Sequence, residues 1–293
     1  STIIGGELTT VQLDEDGQEK ISYFSGDFSL VFFLQEFIHN RNDYIPFHWH
    51  EQLQLLWVYE GELEYNINGE TIKIEKDSLL FINKYQLHSS QTIENDAKTL
   101  CINFDVDFFH PTVLANFISP MLEVSVLDYY VIKPIKDLET KLTDLVRKVD
   151  GTESIFSVIT LITQAFDYML ENINISKLPK ETNSEIEIFN KMLTFVQKNY
   201  MRKIKVEDIA NAGLVNKNLC TKLFQKYTKT SPIKYVNRYR LYVGRQLILQ
   251  TDKTIADVSE EVGFNQYSYF IEQFRLHYAL PPLQYRKEFS NRE

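Results

Sequence analysis

A pattern of about fifty residues occurs twice in the last third of this 293-residue chain, and it constrains the fold more than anything upstream. In the second copy Ile255, Val258 and Val262 recur at three- and four-residue steps behind Thr254, a residue suited to cap a helix N-terminus. Gly263 supplies the positive φ of a sharp turn, and Phe264 plugs the angle between this short helix and the next. Tyr269, Phe270, Phe274 and Tyr278 form the buried stripe of that next helix, leaving Gln266, Ser268, Glu272, Gln273, Arg275 and Leu276 to face outward. The first copy repeats this. Val206, Ile209, Ala210 and Leu214 carry the first-helix spacing, Gly213 with Asn216 marks the turn, and Leu219, Leu223, Phe224 and Tyr227 form the stripe. Lys217, Asn218, Thr221, Lys222 and Gln225 then face outward. Each copy ends in a proline-started segment, Pro232 with Tyr235 in one and Pro282 with Tyr285 and Arg286 in the other.

A short helix, a sharp turn and a second helix with a polar outer face is the arrangement that lays a reading helix in the major groove of duplex DNA. One copy alone is equally a helical hairpin with a solvated face; duplication favours DNA. Between the copies, Pro232 to Gln250 reads as one helix with Val236, Tyr239, Val243 and Leu247 as its apolar stripe. At 1.5 Å per residue it spans roughly 28 Å, close to the roughly 34 Å of one turn of B-DNA, so it suits two reading helices in successive grooves.

These residues resemble the arabinose-operon regulator (AraC/XylS) family of bacterial transcription factors, over about Ile186 to Phe289. Members carry an isoleucine, an A-x-x-V-G-F run, an x-x-Y-F-x-x-x-F run and a terminal P-x-x-Y-R. Here these stand as Ile255, Ser259 to Phe264, Tyr269 to Phe274, and Pro282 to Arg286. Four positions depart from the pattern. Ser259 replaces alanine, Ala279 and Lys229 replace turn glycines, and Gly244 replaces an alanine of the connecting helix, changes that bear on local stability. The resemblance implies a DNA-binding regulator whose N-terminal barrel senses a small molecule, often a sugar, and whose barrel-flanking helices pair two subunits.

Charge divides at the same place. The chain carries a formal −9, yet residues 184–293 hold 18 Lys and Arg against 11 Asp and Glu, a local +7, which leaves −16 for the rest. A basic module neutralises phosphates while an acidic one is repelled by them. The length suggests two domains, and 44% hydrophobic residues support globular folding. No apolar run reaches membrane-spanning length and no secretory signal is present, so a cytoplasmic location is expected. Cys101 and Cys220 form no metal or redox motif and read as small buried hydrophobes.

The first half reads as strands. Leu63, Tyr65 and Ile67 alternate with Glu62, Glu64 and Asn66, reach Asn68-Gly69, and resume at Ile72 and Ile74, which predicts a hairpin with a type I′ turn. Further strands are expected at Leu30–Phe37, Leu53–Tyr59, Leu79–Asn83 and Thr99–Phe104, the spacing of a barrel or jelly roll. His48 and His50 would point to one face of a strand with Gln54 on the same face, and His88 would end a later strand. This resembles the small-barrel cupin pattern of His-x-His, a carboxylate four residues on, a following glycine (Gly61) and a distant third histidine. Gln54 replaces the carboxylate and is a poorer metal ligand, although three imidazoles alone can hold zinc or iron. A polar effector pocket is therefore favoured over a metal, and no cofactor is expected. Trp49, Trp57 and Tyr59 either stack on a sugar or pack outside the barrel.

Two apolar stripes follow: Leu138, Leu142, Leu145, Val146 and Val149, then Ile155, Val158, Ile159, Ile162, Phe166, Met169 and Leu170. One would cover the barrel and the other pair with a second subunit, unless both pack on one chain.

The expected fold is α+β: a cupin-like barrel with flanking helices over residues 1–172, a linker over 173–183, and an all-α domain with two helix-turn-helix motifs over 184–293. The expected function is sequence-specific transcriptional regulation, as an activator, controlled by an effector held by His48, His50, Gln54 and His88. The expected partners are duplex DNA, the effector, a second copy and RNA polymerase, without a membrane. A constitutive DNA-binding protein with a merely dimerising barrel, and a metal-dependent cupin enzyme using His48, His50 and His88, are the alternatives.

Overall fold

The computed structural model describes residues 30–123, 127–133, 136–147, 155–174 and 184–290. Val149 and linker residues 175–183 lie outside them. The chain divides into two compact units, one formed mainly by residues before Ser184 and one from Ser184 onward.

The first unit is built on two antiparallel sheets. The five-stranded sheet runs β1 (Leu30–Phe37), β8 (Ala97–Phe104), β3 (Leu53–Glu60), β6 (Leu79–Ile82) and β9 (Tyr129–Ile132). The four-stranded sheet runs β2 (Tyr44–His48), β7 (His88–Thr92), β4 (Leu63–Ile67) and β5 (Glu70–Ile74). The β4–β5 hairpin closes through Asn68 (φ 50°) and Gly69 (φ 87°), both left-handed, as the type I′ turn predicted from Asn-Gly requires. Three strands escaped the sequence reading. β2 carries Pro46, which an edge strand tolerates, β7 is His-Ser-Ser-Gln-Thr with no apolar alternation, and β9 is only four residues long.

Alternation divides the five-stranded sheet into two faces. Leu30, Phe32, Leu53, Leu55, Trp57, Leu79, Phe81, Leu100, Ile102 and Phe104 share one cluster with α3 (Lys136–Arg147) and α4 (Ile155–Asn172). The short helices α1 (Pro111–Val113) and α2 (Ser119–Leu122) precede them, and Met121 and Leu122 of α2 join the same core. Leu138, Leu142 and Leu145 of α3 and Val158, Ile162, Phe166 and Met169 of α4 all bury there. Neither stripe is spare, which corrects the expectation that one of them waits for a second subunit. Trp57 and Tyr59 belong to this helix-covered core, so the sugar-stacking role considered for them falls away.

The second unit contains α5 (Ser184–Asn199), α6 (Val206–Ala212), α7 (Lys217–Thr228), α8 (Pro232–Gln250), α9 (Ile255–Glu261), α10 (Tyr267–Tyr278) and α11 (Pro282–Phe289). Asn216, Ser231 and Thr254 cap α7, α8 and α9, each side chain accepting from a backbone N–H three residues on. Helix α8 touches α6, α7, α9, α10 and α11. It therefore buries Tyr235, Val236, Tyr239, Leu241, Tyr242, Arg245, Gln246 and Ile248 around most of its circumference, while Val243 and Leu247 of the expected stripe are only half-buried.

Other differences are local. Leu214 is 90% exposed because it, not Gly213, takes the left-handed turn position (φ 56°). Gly213 is small for another reason: a Cβ there would lie 2.7 Å from Met192 Cγ on α5. Leu219 is half-buried and Cys220 takes the core position beside it, and Tyr269 is 40% exposed rather than buried. The family-departing residues show their consequences too. Lys229 (φ 55°) and Ala279 (φ 63°) both sit in the left-handed region, and buried Ser259 Oγ has no hydrogen-bond partner among the described residues.

Opposite signs are expected at two turns of the second copy. Ala279→Gly relieves a left-handed Cβ and should stabilise the chain by about 0.5–1 kcal/mol. Gly263→Ala should destabilise it by about 2 kcal/mol or more, because at φ 90° its Cβ would sit 2.8 Å from the Tyr200 and Met201 carbonyl oxygens. Urea denaturation of both variants measures this.

Burial, with Arg238 and Arg245 nearby, pushes the His277 imidazole down from 6.5 to about 4. The unfolded chain then takes up this proton first, so the stability His277 contributes is full above pH 6.5 and is lost as pH falls toward 4. His277→Gln should lose less stability than the parent chain between those limits, read from denaturation midpoints at a series of pH values.

Candidate nucleic-acid interface and effector pocket

Every residue assigned to DNA reading from the sequence is exposed. On α7, Asn218, Thr221, Lys222 and Gln225 stand one, four, five and eight residues beyond Lys217 along one outward face, opposite buried Leu223, Phe224 and Tyr227. On α10, Ser268, Glu272 and Arg275 repeat the arrangement opposite Phe270, Phe274 and Tyr278. Gln266 is the N-cap of α10 rather than a helix-face residue, and its side chain makes no capping bond. Lys217 Nζ donates to Glu207 at 2.8 Å, an exposed pair that a phosphate can compete for. Tyr267, Tyr269 and Leu276 add exposed apolar surface to α10, suited to thymine methyl groups. The sequence reading missed the two tyrosines because their apolar character pointed to the core.

Arg286, prominent in the sequence motif, works inside the fold. Its Nε donates to the Ile248 carbonyl at 2.8 Å and its Nη2 to the Lys253 carbonyl at 2.7 Å, tying α11 to the exit of α8. Arg240 does the same for the exit of α5, donating to Tyr200 and Arg202 carbonyls at 2.7 Å each. Tyr285 is fully buried and its hydroxyl accepts from Arg245 Nε at 2.7 Å.

In the barrel, His48, His50 and His88 converge, their ligand atoms all within 4.8 Å of one another and all three rings buried. They come together by a different route from the one expected. His48 is the last residue of β2, His50 lies beyond that strand's end, Gln54 is on β3 of the other sheet, and His88 begins β7 rather than ending a strand. The chain's corner between β2 and β3, not one strand face, aims the first two histidines. His50 Nε2 and Gln54 Oε1 lie 3.1 Å apart, and the His50 and His88 rings meet edge-to-face at 5.0 Å. Burial pushes His48 down to about 4, opposed by its bond to the Pro46 carbonyl, so it is neutral at physiological pH.

The face of the five-stranded sheet opposite the helix-covered core adds Gln35, Thr99 and Asn103, and β7 adds Ser90, all buried. Thr99 Oγ1 donates to Gln35 Oε1 at 3.2 Å. The sequence reading passed over these four residues. For Gln35, Thr99 and Asn103 the signal was an uncharged polar residue within a largely apolar strand, whereas the polar run of β7 gave none for Ser90. Trp49, half-buried against Tyr85, is the one aromatic of the three considered that remains near the histidines' loop.

A helical unit with two polar reading faces and a barrel with a buried polar interior define a two-domain transcriptional regulator. Residues 30–145 match the family model described as an AraC-like ligand binding domain, and residues 209–288 the one described as a helix-turn-helix domain, together about two thirds of the chain. The chain belongs to the AraC/XylS family of transcriptional regulators. It is 28% identical to an uncharacterized HTH-type transcriptional regulator, YdeC, of Bacillus subtilis (strain 168), over 85% of this chain and 88% of that protein. It is 28% identical to the lactose operon transcription activator of Staphylococcus xylosus over 60% of this chain and 64% of that protein, and 23% identical to the melibiose operon regulatory protein of Escherichia coli (strain K12) over 82% and 83%. The structure of wild-type ToxT from Vibrio cholerae strain SCE256 with a bound unsaturated fatty acid shares the fold, with a TM-score of 0.51 at 14% identity over 90% of this chain and 97% of that one.

Lys222 and Gln225 separate two kinds of contact. Lys222→Ala should weaken binding to every DNA sequence and lower the slope of log K against log salt by about 0.9, whereas Gln225→Ala should relax preference at one base pair. Binding isotherms across salt and across single-base operator variants distinguish them.

Proposed function

We propose that this regulator activates transcription of sugar-utilisation genes when a small hydroxylated effector occupies the barrel. The observation that carries the effector class is the interior: His48, His50, Gln54 and His88, joined by Gln35, Ser90, Thr99 and Asn103, form a buried polar set without a charged side chain. These groups supply hydrogen bonds to hydroxyl groups, while Leu56, Leu80 and Ile82, buried on the same sheet face, can pack on the C–H surface of a sugar. The lactose and melibiose operons named for two relatives support the same effector class.

DNA is read by Lys217, Asn218, Thr221, Lys222 and Gln225 on α7 and by Gln266, Ser268, Glu272 and Arg275 at and along α10. Two reading helices joined by a helix of roughly 28 Å suit a site of about two turns. In this reading residues 1–172 sense, 173–183 link and 184–293 bind DNA, and the chain acts in the cytoplasm, where its operators lie. No described helix is long and apolar enough to cross a membrane. Activation brings RNA polymerase in as a partner of the DNA-bound protein, and the histidines serve recognition rather than catalysis. A second copy would raise the effective concentration of reading helices at paired sites. Because both helix stripes are occupied internally, that contact falls to outward residues such as Phe156, 77% exposed on α4. Sedimentation showing a monomer at micromolar concentration, with and without DNA, would remove the dimer and leave one chain across two grooves.

The effector is tested with a panel of mono- and disaccharides that includes lactose and melibiose. One of them should raise the unfolding temperature and change operator occupancy in footprints. His48→Ala and His88→Ala should leave sugar-free DNA affinity within about twofold, the scatter of independent sites, and abolish the response. No sugar effect on either readout would refute this effector class.

A further inference from the structure

The three barrel histidines are held more firmly than a hydrogen-bonding pocket requires. His48 Nδ1 lies 2.8 Å from the Pro46 carbonyl, His50 Nδ1 2.8 Å from the Gln52 carbonyl, and His88 Nδ1 2.8 Å from the Gln86 carbonyl. A carbonyl oxygen only accepts, so each Nδ1 bears the proton, and in the neutral ring Nε2 then carries the lone pair. Anchoring one ring nitrogen on a backbone carbonyl is how proteins fix the tautomer and aim of an imidazole that ligates through the other. Here the same device recurs on three elements, and the three ligand atoms lie within 4.8 Å of one another in a buried site.

Gln54 adds a fourth donor. Its Oε1 lies 3.1 Å from His50 Nε2, beside that nitrogen at the edge of the histidine cluster. That separation also suits neighbouring ligands on one ion with bonds of about 2.1 Å.

We propose that His48, His50 and His88, with Gln54 as a weaker fourth ligand, form a site for a divalent first-row transition ion, zinc being the simplest occupant. Imidazole nitrogen selects zinc, iron, nickel or copper over magnesium and calcium, which require oxygen. In a tetrahedral zinc site the nitrogens stand about 3.4 Å apart, so the rings close inward from their present spacing on loading. A neutral ligand set leaves the ion's charge uncompensated. The site therefore holds metal less tightly than one closed by a carboxylate, and its ion keeps affinity for an oxygen of a small molecule in the barrel. The site lies in the pocket assigned to the effector but does not depend on that assignment, since metal binding is measured without sugar.

The test uses the untagged full chain, stripped with chelator and dialysed against Zn²⁺ or Co²⁺. One ion should bind per chain, and a hundredfold excess over Kd should raise the unfolding temperature by about 5 °C or more. Co²⁺ should produce the visible absorption of nitrogen-ligated metal, and His50→Ala and His88→Ala should abolish both effects. Gln54→Glu removes no imidazole and supplies the missing charge, so it should lower the Zn²⁺ Kd by about tenfold or more. Binding that persists in folded His88→Ala, substoichiometric metal in the parent chain, or unchanged affinity in Gln54→Glu would each overturn the site. The last decides the matter even where a histidine variant does not fold.

Discussion

Burial of α8 on nearly every side is the constraint on which the DNA-binding unit depends. One helix serves as the exit of the first helix-turn-helix and the wall of the second, so Tyr235, Tyr239 and Tyr242 pack among themselves while Phe224 meets Tyr235 and Phe270 lies over Gly244. Gly244 follows from that crowding. A Cβ there would meet Phe270 at 3.3 Å, tighter than ordinary contact, so the small residue sets how closely α10 approaches. Arg240 and Arg286 then fix the chain's exits from α5 and α8 with paired bonds to carbonyls. Reading helices held this way present their outward faces at a fixed spacing, which sequence discrimination requires.

The barrel obeys a different rule. One face of its five-stranded sheet is sealed by α3 and α4 with an entirely apolar cluster, whereas the other retains glutamine, asparagine and threonine in burial. Buried polar groups are expensive unless satisfied, and Thr99 and Gln35 satisfy each other on the face where the effector is proposed to bind. The buried Arg41–Asp43 pair illustrates the contrast. Its guanidinium and carboxylate bond each other at 2.7 to 3.0 Å, and the Asp43 carboxylate also accepts from the Ile38 N–H at 2.9 Å, a structural use of polarity at the turn before β2.

Much of this was legible in the chain because periodicity and turn chemistry are local. The connecting helix Pro232–Gln250, the Thr254 cap, the Asn68-Gly69 hairpin and the exposure of the nine residues assigned to DNA reading all followed from spacing and residue type. The errors share a cause as well. Leu214 and Tyr269 were read by hydrophobicity, yet a left-handed turn exposes the first and an outward helix position the second.

The sequence by itself determined that two helix-turn-helix units share a long helix and that a strand-rich acidic half precedes them. Each element's identity is written in short-range patterns that no distant contact needs to supply. Only the tertiary structure decided that neither apolar stripe is spare and how the histidines meet. His48, His50 and His88 lie on different elements, and their convergence depends on a corner and on two sheets facing each other, geometry that forms only when segments far apart in the chain pack together. Gln35, Ser90, Thr99 and Asn103 acquire their meaning in the same way, since a polar residue on a strand belongs to a pocket only once the face it occupies is enclosed.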